Sequence, residues 1–414
     1  MLSRGLLLAG TRSGVVQTIG QPGGMGFGVG CYGGDPSDLA AMGLSPMPGY
    51  DDPSNANYGN YQHTNGSIMV FIPAFCYRVG NAAAPSYSRD KENALEIRDA
   101  GLGEGNGWIL HRAFIDGGQQ KLGFFMDKYI CSKSSNGQLA ISVKNGDNIS
   151  LSTSYANSSS MPGCVGQLLD AITLGRARGE HYSCVTAFQW SSISMLSLSH
   201  GQAATSAQWC GWYDASHVKN YPKGNNNNLK DIDDSSVTWT AHANYANFGK
   251  TGSGTPFNKT THNGQACGIT DVNGSQYQVV IGWRNPSGGQ IMLAKESVRA
   301  HDFTKDNRND TSLFDAVSIA IPNSTSFKFG ANALYSSESG TGRAVCGILP
   351  KTNTNSGLNL FGNDYGYLNS GSDRVLVVAG RYSDGADAGV WYRYYSNWSN
   401  GDNYYGFRAA GYAS

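Results

Sequence analysis

Charge is what this chain has least of: Asp, Glu, Lys and Arg make up only 14% of its 414 residues, and the 30 basic side chains cancel the 30 acidic ones. Without net charge there is no global field to hold a phosphate backbone or an anionic lipid surface, so nucleic acid is not an expected partner. No apolar run approaches the roughly 20 residues that span a bilayer, and membrane insertion is not expected. Leu6-Leu7-Leu8-Ala9 after Arg4 is too short for the apolar segment of a secretory signal. The eight cysteines (Cys31, Cys76, Cys131, Cys164, Cys184, Cys210, Cys267, Cys346) include no CxxC pair and have no histidine at zinc spacing. A chain made without a secretory signal meets a reducing cytoplasm, so these thiols are expected to be mostly free and buried. The eight histidines (His63, His111, His181, His200, His217, His242, His262, His301) show no paired ligand spacing, and neither HExxH nor GxSxG occurs. No cofactor and no metal is expected.

Glycine is abundant instead, at 55 residues. With so few charges, that composition predicts a loop-rich, well-packed chain rather than a disordered one. The length admits two or three domains, or one core with long insertions. Residues 1–62 are rich in Gly, Pro and Asp and are expected to form an attachment or assembly segment. It holds a strand-like Gly14-Val15-Val16-Gln17-Thr18-Ile19 and a short helix opening at Asp35-Pro36-Ser37-Asp38. Gly28-Val29-Gly30-Cys31-Tyr32-Gly33 fits GxGxxG, but it sits in a general glycine run and opens no long amphipathic helix, so a nucleotide site is not expected.

The texture changes within 63–414. Ile68-Met69-Val70-Phe71-Ile72-Pro73-Ala74-Phe75 predicts a buried strand broken by Pro73, and Leu122-Gly123-Phe124-Phe125-Met126 a second. Apolar spacing predicts helices over Val165 to Ala177 and Ala187 to Leu198. Strand signals return at Gln278 to Trp283, Ala316 to Ile321 and Val375 to Val378. Residues 219–265 turn polar, with Asn225-Asn226-Asn227-Asn228, and predict an excursion from the core with too few apolar residues to bury anything.

The most informative stretch is the last. The apolar run Val375-Leu376-Val377-Val378 stops at Gly380, and a tract of Tyr, Ser, Asn, Asp and Arg follows before Gly406-Phe407-Arg408-Ala409-Ala410. Tyr and Trp supply large rigid contact area at low rotamer entropy, while Ser, Asn and Gly supply small adaptable hydrogen bonds, so this mixture predicts a binding surface. The candidate face, 380–410, offers Tyr392, Tyr394, Tyr395, Tyr404 and Tyr405 as anchors, and Arg381, Arg393, Asp384, Asp387 and Asp402 as charges. Ser383, Ser396, Asn397, Asn400 and Asn403 complete its contacts. Phe407 and the valine run are expected to turn inward.

Several pieces in order resemble the fold shared by C-type lectins and formylglycine-generating enzymes. They are Met69-Val70-Phe71-Ile72-Pro73-Ala74-Phe75, Met126-Asp127-Lys128-Tyr129-Ile130, the Val185-Thr186 entry to a helix with Trp190, Gly268-Ile269-Thr270-Asp271-Val272-Asn273-Gly274, and Gly406-Phe407-Arg408-Ala409. The resemblance implies an α+β fold of small antiparallel sheets, two helices and much irregular loop. Within it, the C-terminal tract resembles the variable proteins of diversity-generating retroelements, whose lectin-like domain displays residues randomised at template adenines. That implies a fixed frame at Gly380, Gly385-Ala386, Ala388-Gly389-Val390-Trp391 and Gly406 to Ala410, around changeable positions. Asn codons beginning AA reach Tyr, Ser, Asp, Arg or Gly by adenine changes, and Arg381 to Tyr405 contains no Lys, Glu, Gln or Met. The frame departs from the family's pattern at Ala379, where Gly-Gly is common, and at Tyr382, where Trp is common.

Such variable proteins often sit at phage tail-fibre tips. The resemblance implies a receptor-binding adhesin on a virion, made in the host cytoplasm and acting at the host cell surface. Its partners would be a host surface protein or glycan, other tail-fibre proteins through residues 1–62, and copies of itself, a trimer by analogy with tail fibres. An enzyme is not expected. The copper oxidases of this fold need a cysteine pair upstream of the Gly-Phe-Arg motif, and Gly380 to Tyr405 has no cysteine. A polysaccharide hydrolase needs two carboxylates about a sugar bond, and Asp231, Asp233 and Asp234 fit a solvated turn or cap better. Asp271 and Asn273 lie in a turn that suits calcium, but one carboxylate and one amide do not make a site.

Overall fold

The computed structural model describes residues 18–154, 157–317, 325–329, 345, 347–351 and 364–413. It is a mixed, sheet-rich structure with few helices. The strands of its two large sheets are, in chain order, β1 Leu44–Pro46, β2 Asn60–His63, β3 Ile68–Pro73, β4 Gly123–Asp127, β5 Tyr182–Cys184 and β6 Tyr277–Val280. They continue with β7 Thr325–Lys328, β8 Tyr365–Leu368, β9 Arg374–Val378, β10 Arg393–Asn397, β11 Tyr405–Gly406 and β12 Ala409–Gly411. One six-stranded sheet runs β1-β2-β3-β4-β12-β5, and the other runs β7-β8-β10-β9-β6-β11. The chain's last strand thus lies inside the first sheet, between β4 and β5, while the strand just before it edges the second.

The apolar runs form the centre of each sheet because they can be buried on both faces. Met69 to Ile72 and Phe124 to Met126 are wholly buried in paired β3 and β4, and Val375 to Val378 in β9. The break expected at Pro73 falls at Ala74: Pro73 ends β3 opposite Gly123, and the next strand begins at Phe75. The strand expected over Ala316 to Ile321 is realised only as far as Ala316; residues 318–321, like 14–17 of the first expected strand and Cys346, lie outside the described residues.

Three helices matter to the argument: α1 Pro36–Ala41, α2 Asp170–Arg176 and α3 Ala187–Ala203. Asp35 caps α1 by accepting from Ser37 N–H, as its sequence predicts. Helix α2 starts five residues later than the apolar spacing suggests, because the Asp170 carboxylate gathers the N–H groups of Val165, Gly166 and Gln167 into a turn ahead of it. Helix α3 opens on a capping box, Thr186 with Gln189, and is buried along nearly its whole length. Its serines permit that: Ser191, Ser192, Ser194 and Ser197 return their hydroxyls to carbonyls three or four residues back, so these hydroxyls are not stranded by close packing.

Two organisational expectations are corrected. Residues 18–62 are not a separate segment: β1 and β2 belong to the first sheet, and Ile19, Phe27, Val29 and Tyr58 lie in the main core. The GxGxxG stretch is packed within it, with Gly28 against His262. Nor is 219–265 an unburied excursion. It carries buried Trp239, Phe248 and Val237, and it buries amides too, including Asn220, Asn225 and Asn226. Asn220, for example, donates to Ala386 O at 2.8 Å, and the Ser275 N–H reaches Asn225 O at 2.6 Å. The described cysteines are all free, and all but half-buried Cys164 are buried. No helix among the described residues is long and apolar enough to cross a membrane.

Candidate ligand-binding face

The second sheet places the tyrosines. Register aligns Gln278, Val378 and Arg393 across β6, β9 and β10, and aligns Val279, Val377 and Tyr394 in the next row. Side chains alternate along a strand, so the first row faces helix α3 and the second faces away. Tyr277 and Tyr405, paired across β6 and β11, and Tyr367, paired with Tyr394 across β8 and β10, share the second side. The result is a tyrosine row across the sheet. Tyr277 stacks on Tyr392 at 5.6 Å and on Tyr394 with ring planes 3° apart, and Tyr394 stacks on Tyr395 at 4.9 Å.

The row has a buried floor and a half-exposed rim. Tyr394, Tyr395, Tyr404, Asn397, Asp402, Asn403, Arg381, Asp384 and Asp387 are partly exposed, while Ser383 and Asn400 are exposed. Tyr392 (3% exposed), Arg393 (1%), Ser396 (3%) and Tyr405 (7%) are buried, which corrects their expected place as outward contacts. The reason is local. Arg393 points at helix α3, its guanidinium donating to Val390 O and Tyr392 O at 3.0 Å, Gly347 O at 2.7 Å and Ser194 Oγ at 3.2 Å. Tyr392 and Tyr405 face the rim side but lie beneath their neighbours: the Tyr392 hydroxyl meets Tyr277 at 3.2 Å, and that of Tyr405 meets Ser396 at 3.0 Å. These four side chains hold the rim in place.

Backbone bonds fix the rest of the tract. Leu168 N–H reaches Asn400 O, Tyr277 N–H reaches Tyr404 O, and Leu151 exchanges bonds with Tyr405 and Asp402. The loop 381–387 is braced from the polar insertion, through Asn220 on Ala386 and through Phe248, whose ring lies 5.7 Å from that of Tyr382. The frame implied by the resemblance is largely interior: Gly380, Ala388 to Trp391 and Gly406 to Ala410 are buried, although Ala386 is exposed. Phe407 is fully buried, and the Arg408 guanidinium donates to Gln278 Oε1 and to the Asp127, Thr270 and Asp271 carbonyls, tying the two sheets together.

Electrostatics follow from this burial. The Asp384 carboxyl is pushed up by desolvation, although Arg381 and Tyr277 hydrogen-bond to it. Asp364, beneath the face and bonded by the Trp391 N–H, is pushed well above the carboxylate range by the same cause. Burial raises the rim phenols Tyr394 and Tyr404 to about 12, so both are neutral donors at physiological pH. Arg381 lies over Tyr404, 4.4 Å from the ring centroid.

Among solved structures, the chain is similar to the Major Tropism Determinant U1 variant, with a TM-score of 0.31 and 9% identity over 84% of this chain and 63% of that one. The M1 variant gives a TM-score of 0.31 and 10% identity over the same shares of 84% and 63%. PvdO from Pseudomonas aeruginosa gives a TM-score of 0.33 and 11% identity, over 85% of this chain and 97% of that one. The chain therefore spans about 63% of the length of the two Major Tropism Determinant structures. No family model matches the chain, and no curated protein matches its sequence.

The residues weighed for chemistry in the sequence have structural employment. The Asp231 carboxylate accepts from the N–H groups of Gly224, Asp233 and Asp234, Asp233 accepts from Asn220 N–H, and Asp234 pairs with Lys259 at 2.7 Å. Asp271 accepts from Gly252 N–H, Thr251 and Trp239, and Asn273 accepts from Asn226. Sequence reasoning missed Tyr277, Tyr365 and Tyr367, which join the row from outside the tract. The alternation of Tyr365-Gly366-Tyr367 was the available signal. A polar cleft of about 240 Å³, lined by Asp116, Lys121, Glu180, His181, Arg299, His301, Tyr412 and Ala413, shares no residue with this face.

Proposed function

We propose that this protein is a receptor-binding adhesin of the phage tail-fibre type, in which a C-type lectin-like frame displays a C-terminal face to a host surface receptor. The observation that carries this is the division of the tyrosine row into a hydrogen-bonded floor and a half-exposed rim. Tyr394, Tyr395 and Tyr404 already lie ordered against neighbours, so little side-chain entropy is lost when a partner arrives. The face acts by binding and not by turnover, since its buried polar groups point into the frame. Several copies on one fibre, as in a homotrimer, would gain avidity through effective concentration. A face with its floor locked tolerates exchange at the rim, which suits diversification by a retroelement.

The test is attachment. Tyr394→Ala with Tyr404→Ala should abolish binding to whichever bacterial cells, in a panel, the wild-type protein binds, while the melting temperature moves little. Undiminished attachment would place the grip elsewhere. Light scattering should give a trimer at micromolar concentration, and a monomer would remove the avidity argument.

A further inference from the structure

One cation beside this face has no carboxylate. Arg381 is tied to Asp384, Lys328 to Asp387 and Arg308 to Asp373. Arg374, at the start of β9, meets none among the described residues. Its Nη1 donates to Asn397 Oδ1 at 2.7 Å, its Nε is buried without an acceptor, and its Cζ lies 4.4 Å from the Tyr395 ring centroid. Gly371 makes the room, since a Cβ there would stand 2.7 Å from Nε. Stacking desolvates one side of the guanidinium and, with Nε buried, leaves its terminal Nη groups to recognise a planar carboxylate. The Tyr367 ring packs on Tyr395 in turn, 5.5 Å away.

Ring geometry says what would carry that carboxylate. Tyr395 lies against both Tyr394 and Arg374, Tyr404 lies beneath Arg381, and Tyr365 lies beneath Lys328 at 5.1 Å. Tyr395, Tyr404 and Tyr365 thus each have a ring or a cation over a face, so the row offers less open aromatic face and relatively more edge and hydroxyl. A sugar stacks on an open aromatic face, whereas a side-chain carboxylate needs only the fork and the positive ring edges. We propose that Arg374, with the edges of Tyr367 and Tyr395, is the subsite at which the face takes an acidic side chain from a peptide segment of its partner. This rests on the adhesin reading and names its ligand chemistry.

The experiment offers the full chain a surface-bound hexaglutamate peptide at low salt, with hexaserine and an oligomer of sialic acid as controls, and reads binding by interferometry. Hexaglutamate should bind and hexaserine should not, and Arg374→Gln should weaken binding about tenfold or more at unchanged melting temperature. Arg374→Lys keeps the charge without the fork and should recover only part of the loss; it also serves if Arg374→Gln fails to fold. Equal binding by wild type and variants, or preference for the sialic acid oligomer, overturns the proposal. Cell attachment lost on Tyr394→Ala with no hexaglutamate binding by wild type would sink the subsite alone. Arg374-dependent hexaglutamate binding with cell attachment untouched by Tyr394→Ala would sink the adhesin reading alone.

Discussion

Tyr404 and Tyr405 are neighbours in the chain, and truncating each to alanine should have opposite consequences. Tyr405 is 7% exposed, its ring lies 5.5 Å from Tyr277, and its hydroxyl bonds Ser396. Removing a buried aromatic of this size costs about 3–5 kcal/mol in lost transfer energy and cavity. Against a total stability of roughly 5–15 kcal/mol that is a large share. Tyr404 is half exposed, and its main partner is the Arg381 guanidinium above its ring. Such a contact is worth about 1 kcal/mol, so Tyr404→Ala should cost about that. Urea denaturation followed by circular dichroism reads the difference as a shift in midpoint at constant slope. Attachment should divide the other way, failing in Tyr404→Ala under conditions where that variant is fully folded. Equal stability loss in the two variants would refute the division into floor and rim.

Ala379 adopts φ +75°, a conformation that costs an L-residue about 1–2 kcal/mol, so Ala379→Gly should raise stability, by less than that because glycine also loosens the unfolded chain; a lower denaturation midpoint would contradict the strain. Arg393→Met should destabilise by about 3 kcal/mol or more, because it takes the guanidinium donor from the buried Tyr392 and Gly347 carbonyls and from Ser194; a loss below about 1 kcal/mol in denaturant titration would show the guanidinium to be dispensable. Acid should destabilise the protein. His111, His200 and His262 are held neutral by burial, with pKa values of about 3, 4 and 3, below the roughly 6.5 of an unfolded histidine. The unfolded chain therefore binds more protons below pH of about 6.5, and stability, full above that value, falls as pH drops, by roughly 1 kcal/mol per unit for each histidine. Asp364, protonated more readily in the fold, opposes one of the three, and Asp231, Asp271 and Asp384 oppose further as pH nears the carboxylate range. Denaturation midpoints at pH 7, 6 and 5 should fall in that order, and a flat series would refute the account.

What the sequence disclosed was whatever depends on apolar runs and local chemistry. Val375 to Val378, Ile68 to Ile72 and Phe124 to Met126 read as buried strands because contiguous apolar residues have nowhere else to go. The start of helix α3 was legible in the apolar spacing from Ala187, and the capping box of Thr186 with Gln189 fixes it there. Burial achieved by hydrogen bonds was not legible. Asn220, Asn225 and Asn226 look solvated by composition, yet each is interior because backbone and amide partners from distant segments meet them there. The same blindness made residues 18–62 look separate, since pairing of β2 with β3 leaves no mark in composition. Within the tract, composition pointed to a candidate face but could not rank its residues: Tyr405 is drawn into the sheet by the parallel pairing of β11 with β6, and Tyr404 is not.

That ranking constrains what an interchangeable face can change. Side chains outside special environments tolerate substitution within roughly ±0.5 kcal/mol, whereas an orphaned buried cation or a cavity costs several. Ser383 and Asn400 are exposed, and Asp387, Tyr394, Tyr395, Asn397 and Tyr404 are half exposed, so changes there are paid for chiefly at the partner. Arg393, Tyr392, Ser396 and Tyr405 lie in the same tract but are bound into the frame, through Ser194 of helix α3, Tyr277 of β6 and one another. A template that exchanged all of these positions alike would unfold many of its own products. Functional variants of this chain should therefore differ at the rim and agree at the floor, so a set of attachment-competent sequences selected from a library randomised across the tract would keep Arg393 and Tyr405 while scattering Tyr394, Ser383 and Asn400. Selection that scattered Arg393 as freely as Asn400 would mean that the floor does not support the grip.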